Sequence, residues 1–114
     1  MTTIAETADL VTLINVFSVD PPNQQELVGL LAGATDTSVR GLPGFISAAL
    51  HRSIDGTKVT MYSQWKTAAH YRHYQAMLSG PDAPPYVARA MAIARFEPGM
   101  YEVVQVFAGA ADAG

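Results

Sequence analysis

The chain has no cysteine, which excludes disulfide frameworks, thiolate nucleophiles, iron–sulfur clusters and cysteine-held zinc. Charge is also scarce. Charged residues make up 15% of the 114, and the formal net charge is -3 at pH 7. Nucleic-acid binding requires a basic footprint that this balance does not supply. Long apolar runs are missing as well, none approaching the ~18 residues of a membrane span. Glu6 and Asp9 stand where a secretory leader would carry Lys or Arg. These absences point to a soluble, cytoplasmic protein with neither nucleic-acid nor membrane partners. Internal repeats and linkers are lacking too, and the length is below the ~150 residues used as a domain prior. The expectation is one domain over 1–114, with 1–9 and the Ala/Gly-rich 108–114 as flexible tails.

What is present is apolar: 49% hydrophobic residues, with 9 Gly and 7 Pro, a balance that suits a packed core. A chain this short buries only about two thirds of its unfolded surface. Few charges and much apolar surface therefore predict a homodimer. Leu10 to Val19 alternates as a strand, with Val11, Leu13, Asn15, Phe17 and Val19 on one face. Asp20 and Pro21 stop it and cap a helix, in which Leu27, Leu30, Leu31 and Ala34 recur at helical spacing to near Arg40. Gly41 to Gly44 breaks that helix, and Phe45 to Ser53 reads as a second strand with Phe45, Ser47, Ala49 and His51 on one side. Asp55-Gly56 marks a hairpin, both positions tolerating positive φ, and Thr57 to Trp65 is the third strand. Thr67 can cap a helix to about Leu78. A Gly/Pro loop, a short helix from Tyr86 to Ala94 and a last strand from Met100 to Phe107 complete the order. That order is the split β-α-β of ferredoxin-like α+β domains, a four-stranded antiparallel sheet with helices on one face. Apolar residues on both sides of the strands predict that the open face packs on a second copy.

No phosphate-binding glycine motif, dinucleotide fingerprint or nucleophile–base signature is present. His70 and His73 lie within reach of each other on one helix, but no carboxylate joins them at ligand spacing, so no metal is expected. His51, sharing a strand face with Phe45 and Ala49, is a candidate pocket base, or else a satisfied half-buried histidine. Asn15 is an amide in mid-strand beside Phe17, so it either bonds locally or lines a polar pocket. Trp65 ends the third strand on the face of Met61, and Tyr71 and Tyr74 point toward it from the second helix. These rings are either plain core or the walls of an aromatic-lined cavity for a flat polycyclic ligand.

The run Pro43-Gly44-Phe45-Ile46-Ser47-Ala48, then Leu50 to Thr57 with its His-x-Ser-x-Asp-Gly, then Tyr62-Ser63-Gln64-Trp65 and Tyr71-Arg72, resembles the antibiotic biosynthesis monooxygenase family. The likeness is to its quinone-forming polyketide members, and it is densest from Pro43 to Arg72. It implies a dimeric α+β barrel that needs no cofactor and uses O2 to oxidise an anthrone-like aromatic polyketide to a quinone. By position, the resemblance implies catalytic roles for Asn15, Trp65 and His51. It implies substrate contacts for Tyr71 and Arg89, with Phe17, Met61 and Tyr74 completing the pocket. Met61 stands where the quinone-forming members carry an asparagine, so the hydrogen-bonding role passes to Asn15 or is lost. Two other readings stay open: a non-enzymatic dimer that binds a small aromatic, and a haem protein using His70 or His73 as iron ligand.

Overall fold

The computed structural model describes residues 10–81 and 83–110. In chain order the elements are β1 (Val11–Val19), α1 (Gln24–Thr37), β2 (Phe45–Arg52), β3 (Lys58–Trp65), α2 (Ala68–Ser79), α3 (Pro85–Ile93), β4 (Ala94–Glu97) and β5 (Met100–Tyr101). All pairings are antiparallel in the order β2-β3-β1-β4, and β5 pairs with β1 beyond β4. This is the ferredoxin-like α+β arrangement that the element order predicts. Of the expected tails, 1–9 and 111–114 lie outside the described residues, and 108–110 carry no helix or strand.

Alternation along the central strands decides where the core sits. Phe17, Val19 and Val59 pack against Leu27 and Leu31 of α1 and Ala90 of α3. Leu13 and Trp65 pack with Tyr71 of α2 and Val39. Odd-numbered residues of β1 and β3 therefore face the helices, and even-numbered ones face away. Leu13, Leu27, Val59 and Trp65 are almost fully buried, and burying each such side chain contributes roughly 1.5–3 kcal/mol.

Four local expectations need correction. The first helix ends at Thr37, and a separate 3-10 turn, Val39–Gly41, buries Val39. Asp20 makes no side-chain cap; its carbonyl accepts from the Asn23 N–H at 2.8 Å instead. At the hairpin only Gly56 takes positive φ, +84°. The Asp55 carboxylate braces that turn, accepting from Ser53 Oγ and Thr57 Oγ1 at 2.7 Å and from the Thr57 N–H at 3.0 Å. These donors, the Thr57 backbone first, hold its pKa down to about 2. Finally, an unexpected strand, Ala94–Glu97, precedes the last one, which starts at Met100 as expected but stops at Tyr101, and 102–107 form no strand. Phe96 stacks on Phe17 with centroids 4.8 Å apart, which secures Ala94–Glu97 against β1 although the segment is poor in β-branched residues.

β2 carries a bulge. Phe45 pairs with Trp65 but Ser47 pairs with Gln64, so Ile46 is an extra residue. Phe45 thus lies on the helix side against Trp65, while Ser47, Ala49 and His51 turn to the open face. Just before it, Gly44 adopts φ +83°, and a Cβ there would lie 2.2 Å from His70 Cγ. The Pro43-Gly44-Phe45 sequence needs its glycine for both reasons.

Candidate active site

Between the sheet and its helices a cavity of about 310 Å³ remains open. Its floor is Asn15 and Phe17 of β1, Met61 of β3 and Phe96 of β4. Leu31 and Thr35 of α1 form one wall; Tyr71, Tyr74 and Leu78 of α2 form another. Tyr86, Val87 and Ala90 of α3 close the third. Asn15 and Met61 are direct cross-strand neighbours, so strand register alone sets them side by side on the floor. Around Asn15 the surroundings are mostly carbon, and its Oδ1 is buried with no hydrogen-bond partner among the described residues. A buried amide oxygen left unpaired costs about 1–3 kcal/mol, and at a cavity wall such an oxygen can accept a hydrogen bond from a molecule in the cavity.

Trp65 lies behind the wall rather than on it. It is 1% exposed, its Nε1 donates to Ser63 Oγ at 3.2 Å, and it stacks on Tyr74 at 5.4 Å with 20° between the rings. Tyr71 meets it edge-on at 6.0 Å, and Phe45 at 5.4 Å from the other side. The indole therefore fixes the two phenols that face the cavity. The Tyr74 hydroxyl shares a 3.3 Å hydrogen bond with that of Tyr86.

Electrostatically the cavity is neutral. No Asp, Glu, Lys, Arg or His is among its lining residues. Burial pushes the Tyr71 phenol above its ordinary pKa. Tyr74 is pushed further up, by burial first and then by the Tyr86 hydroxyl. Both phenols are protonated near neutrality, so they donate hydrogen bonds and do not act as bases. The site can hold an apolar polycycle, meet its oxygens with neutral donors and acceptors, and exclude bulk water.

Five of the expected residues come together here: Asn15, Phe17, Met61, Tyr71 and Tyr74. Trp65 supports them from behind. Two do not reach the cavity. His51 pairs with Thr60 on the open face, because the Ile46 bulge reverses the alternation that would have grouped it with Phe45. It is exposed, and the pocket-base expectation is corrected. Arg89 sits on the outer side of α3, where Glu26 of α1 engages its guanidinium in an exposed, two-pronged ion pair. It too is absent from the lining. His70 bonds Thr67 Oγ1 through Nδ1 at 2.8 Å, and neither it nor His73 lines the cavity. Among the described residues no three His, Asp or Glu side chains gather into a metal-binding group. No helix among them is long and apolar enough to cross a membrane. Sequence reasoning missed Tyr86 and Phe96. The spacing Tyr86, Val87, Ala90, Met91 is a helical stripe that would have exposed the first.

Comparison with known proteins bears on this geometry. The sequence profile of the family described as Antibiotic biosynthesis monooxygenase matches residues 10–82. Tetracenomycin-F1 monooxygenase of Streptomyces glaucescens is 39% identical over 107 residues, covering 94% of this chain and 93% of its own. Among solved structures, SnoaB, a cofactor-independent oxygenase from Streptomyces nogalater, superposes with a TM-score of 0.68 at 24% identity, covering 87% of this chain and 97% of its own. An anthrone oxidase-like protein reaches a TM-score of 0.82 at 18% identity over 97% of this chain, which spans 46% of that longer one. With the profile covering well over half of its length and a full-length relative at this identity, the chain belongs to the antibiotic biosynthesis monooxygenase family.

Proposed function

We propose that this protein is a cofactor-independent monooxygenase that converts an anthrone-like phenol of polyketide type into a quinone. The observation that carries the reading is the unpaired amide oxygen of Asn15 on the floor of an uncharged, aromatic-walled cavity. Family membership and the likeness to an enzyme named for tetracenomycin F1 support it. The chemistry balances without an external reductant. The substrate methylene loses its two hydrogens, one atom of O2 becomes the new carbonyl oxygen, and the other leaves in water.

Triplet O2 reacts slowly with paired electrons unless the partner gives up one electron readily, and the enolate of an anthrone does so. Asn15 Oδ1 accepts a hydrogen bond from the enol O–H or from a neighbouring phenol of the substrate, and the amide N–H and the phenols of Tyr71 and Tyr74 meet the developing oxygen charge. A water-poor site keeps the radical pair and the hydroperoxide that follows from leaking into side reactions. No lining residue is an ordinary base, so the substrate's acidic O–H gives its proton to solvent water at the cavity mouth, and these hydrogen bonds stabilise the enolate that remains. Asn15 is the catalytic residue of this reading, with Phe17, Met61, Tyr71 and Tyr74 in contact with substrate and Trp65 positioning the phenols.

The working unit in this reading is a homodimer. On the outward face of the sheet Ile14 and Val16 are only partly buried, and in the segment after β5 Val104 and Phe107 are 88% and 80% exposed; a second copy covering these groups removes apolar surface from water. Light scattering during gel filtration checks it, with a monomer mass as the contrary result.

The activity is tested by mixing metal-stripped protein with dithranol in air and following oxygen consumption and quinone absorbance. Turnover with incorporation of one labelled oxygen atom from 18O2 is expected. Tight binding with no oxygen uptake beyond buffer would instead make the protein a carrier of aromatic ligands.

A further inference from the structure

The reading above gives no task to Tyr86, whose hydroxyl is hydrogen-bonded to that of Tyr74, 3.3 Å apart across the α2–α3 contact. Both residues line the cavity, and neither hydroxyl has a second partner among the described residues. Two phenols carry two O–H donors, and one is consumed in their mutual bond. The other donor and the remaining lone pairs are left for whatever occupies the cavity that both residues line. The pair is also held in place. Tyr74 is stacked on Trp65 and tilted against Tyr71, so its ring has little freedom, and Tyr86 sits in the first turn of α3, whose φ is preset by Pro85 at the helix start.

Position adds the rest. Asn15 lies on the sheet floor, whereas the two hydroxyls belong to the helical layer that roofs it. A flat polycycle between them meets polar groups from two sides. We propose that the Tyr74–Tyr86 pair is a specificity element that recognises ring hydroxyls of the substrate, and that Tyr86 is its determining residue. Resting on the proposed function, this assigns to two named side chains the discrimination between ring-hydroxylated polycycles and bare ones. A bare ring leaves the free donor of the pair desolvated and unpaired, and sites built this way discriminate against ligands that lack the matching group.

The test is a binding measurement without oxygen, so it does not depend on turnover. The one tryptophan of the chain stacks on Tyr74, which makes its emission a reporter of cavity occupancy. Under argon, dissociation constants for dithranol and for unsubstituted anthrone are measured in the wild type, Tyr86→Phe, Tyr74→Phe and the double variant. Each single loss of hydroxyl is expected to reduce the preference for dithranol about three- to tenfold, the span of one net hydrogen bond. The double variant is expected to lose less than the product of the two, because the hydroxyls act as a unit. A Tyr86→Phe protein of unchanged far-UV circular dichroism that keeps the wild-type preference within twofold overturns the inference. So does a double variant whose losses multiply. If dithranol is bound selectively but never oxidised in air, the specificity element stands and the oxygenase reading falls.

Discussion

Replacing Asn15 by Leu should make the protein more stable and less active at once. Leu has the same branching at Cγ and suits the carbon-rich neighbourhood of Phe17 and Met61, while removing the buried Oδ1 that has no partner. An orphaned buried carbonyl costs about 1–3 kcal/mol, and a residual cavity beside the new side chain returns part of that, leaving a gain of about 1–2 kcal/mol. For a chain of this length the unfolding entropy is roughly 0.24 kcal/mol per kelvin, so the melting temperature should rise by about 4–8 °C. Differential scanning fluorimetry at matched protein concentration reads this directly, matching being needed so that any self-association contributes equally to both proteins. In the oxygen-uptake assay kcat should fall by about 10²–10³, the usual consequence of removing one group that stabilises developing charge. Opposite signs are what identify a residue kept for chemistry at the expense of stability. A variant that melts at or below the wild type refutes the claim that the amide is unsatisfied, and one that oxidises dithranol at the wild-type rate refutes its role.

Met61→Asn puts a second amide directly across from Asn15; kcat for dithranol should rise three- to tenfold or so while the buried amide lowers stability by about 1–3 kcal/mol, and an unchanged or lower kcat would show that one amide suffices. His51→Ala, altering an exposed residue that faces away from the cavity, should leave kcat and KM within about twofold in the same assay, whereas a large drop would return the histidine to the reaction. Asp55→Asn tests the hairpin brace through pH. The folded carboxyl titrates at about 2 against an ordinary 3.8, so its stabilisation is present above the ordinary value and is lost as pH falls toward the folded one. Melting curves of the wild type should decline through that window by more than those of Asp55→Asn, and parallel curves would contradict the assignment.

Most of the architecture is legible in the sequence because its signals are local. The alternation in Val11–Val19, the Thr67 cap, whose side chain accepts from the His70 N–H, and the Asp55-Gly56 turn each act within a few residues. The floor of the cavity is legible for the same reason, since period-2 alternation places Asn15 with Phe17, and Met61 with Trp65. What escapes is set by partners distant in sequence. Ala94–Glu97 becomes a strand through its pairing with β1 and the stacking of Phe96 on Phe17, against its own weak propensity. The side on which His51 falls depends on a one-residue bulge that no composition reveals. Arg89 turns outward because Glu26, 63 residues earlier, waits for it there.

The margins of the sheet carry a consequence of their own. On one margin the ladder is dislocated at Ile46. On the other, β4 stops at Glu97 and β5 starts at Met100, with Pro98, which has no N–H to offer, between them. A third strand arriving from another molecule would find no uninterrupted row of donors and acceptors on either flank. A chain this rich in apolar strands is thereby steered from fibre growth by lateral addition.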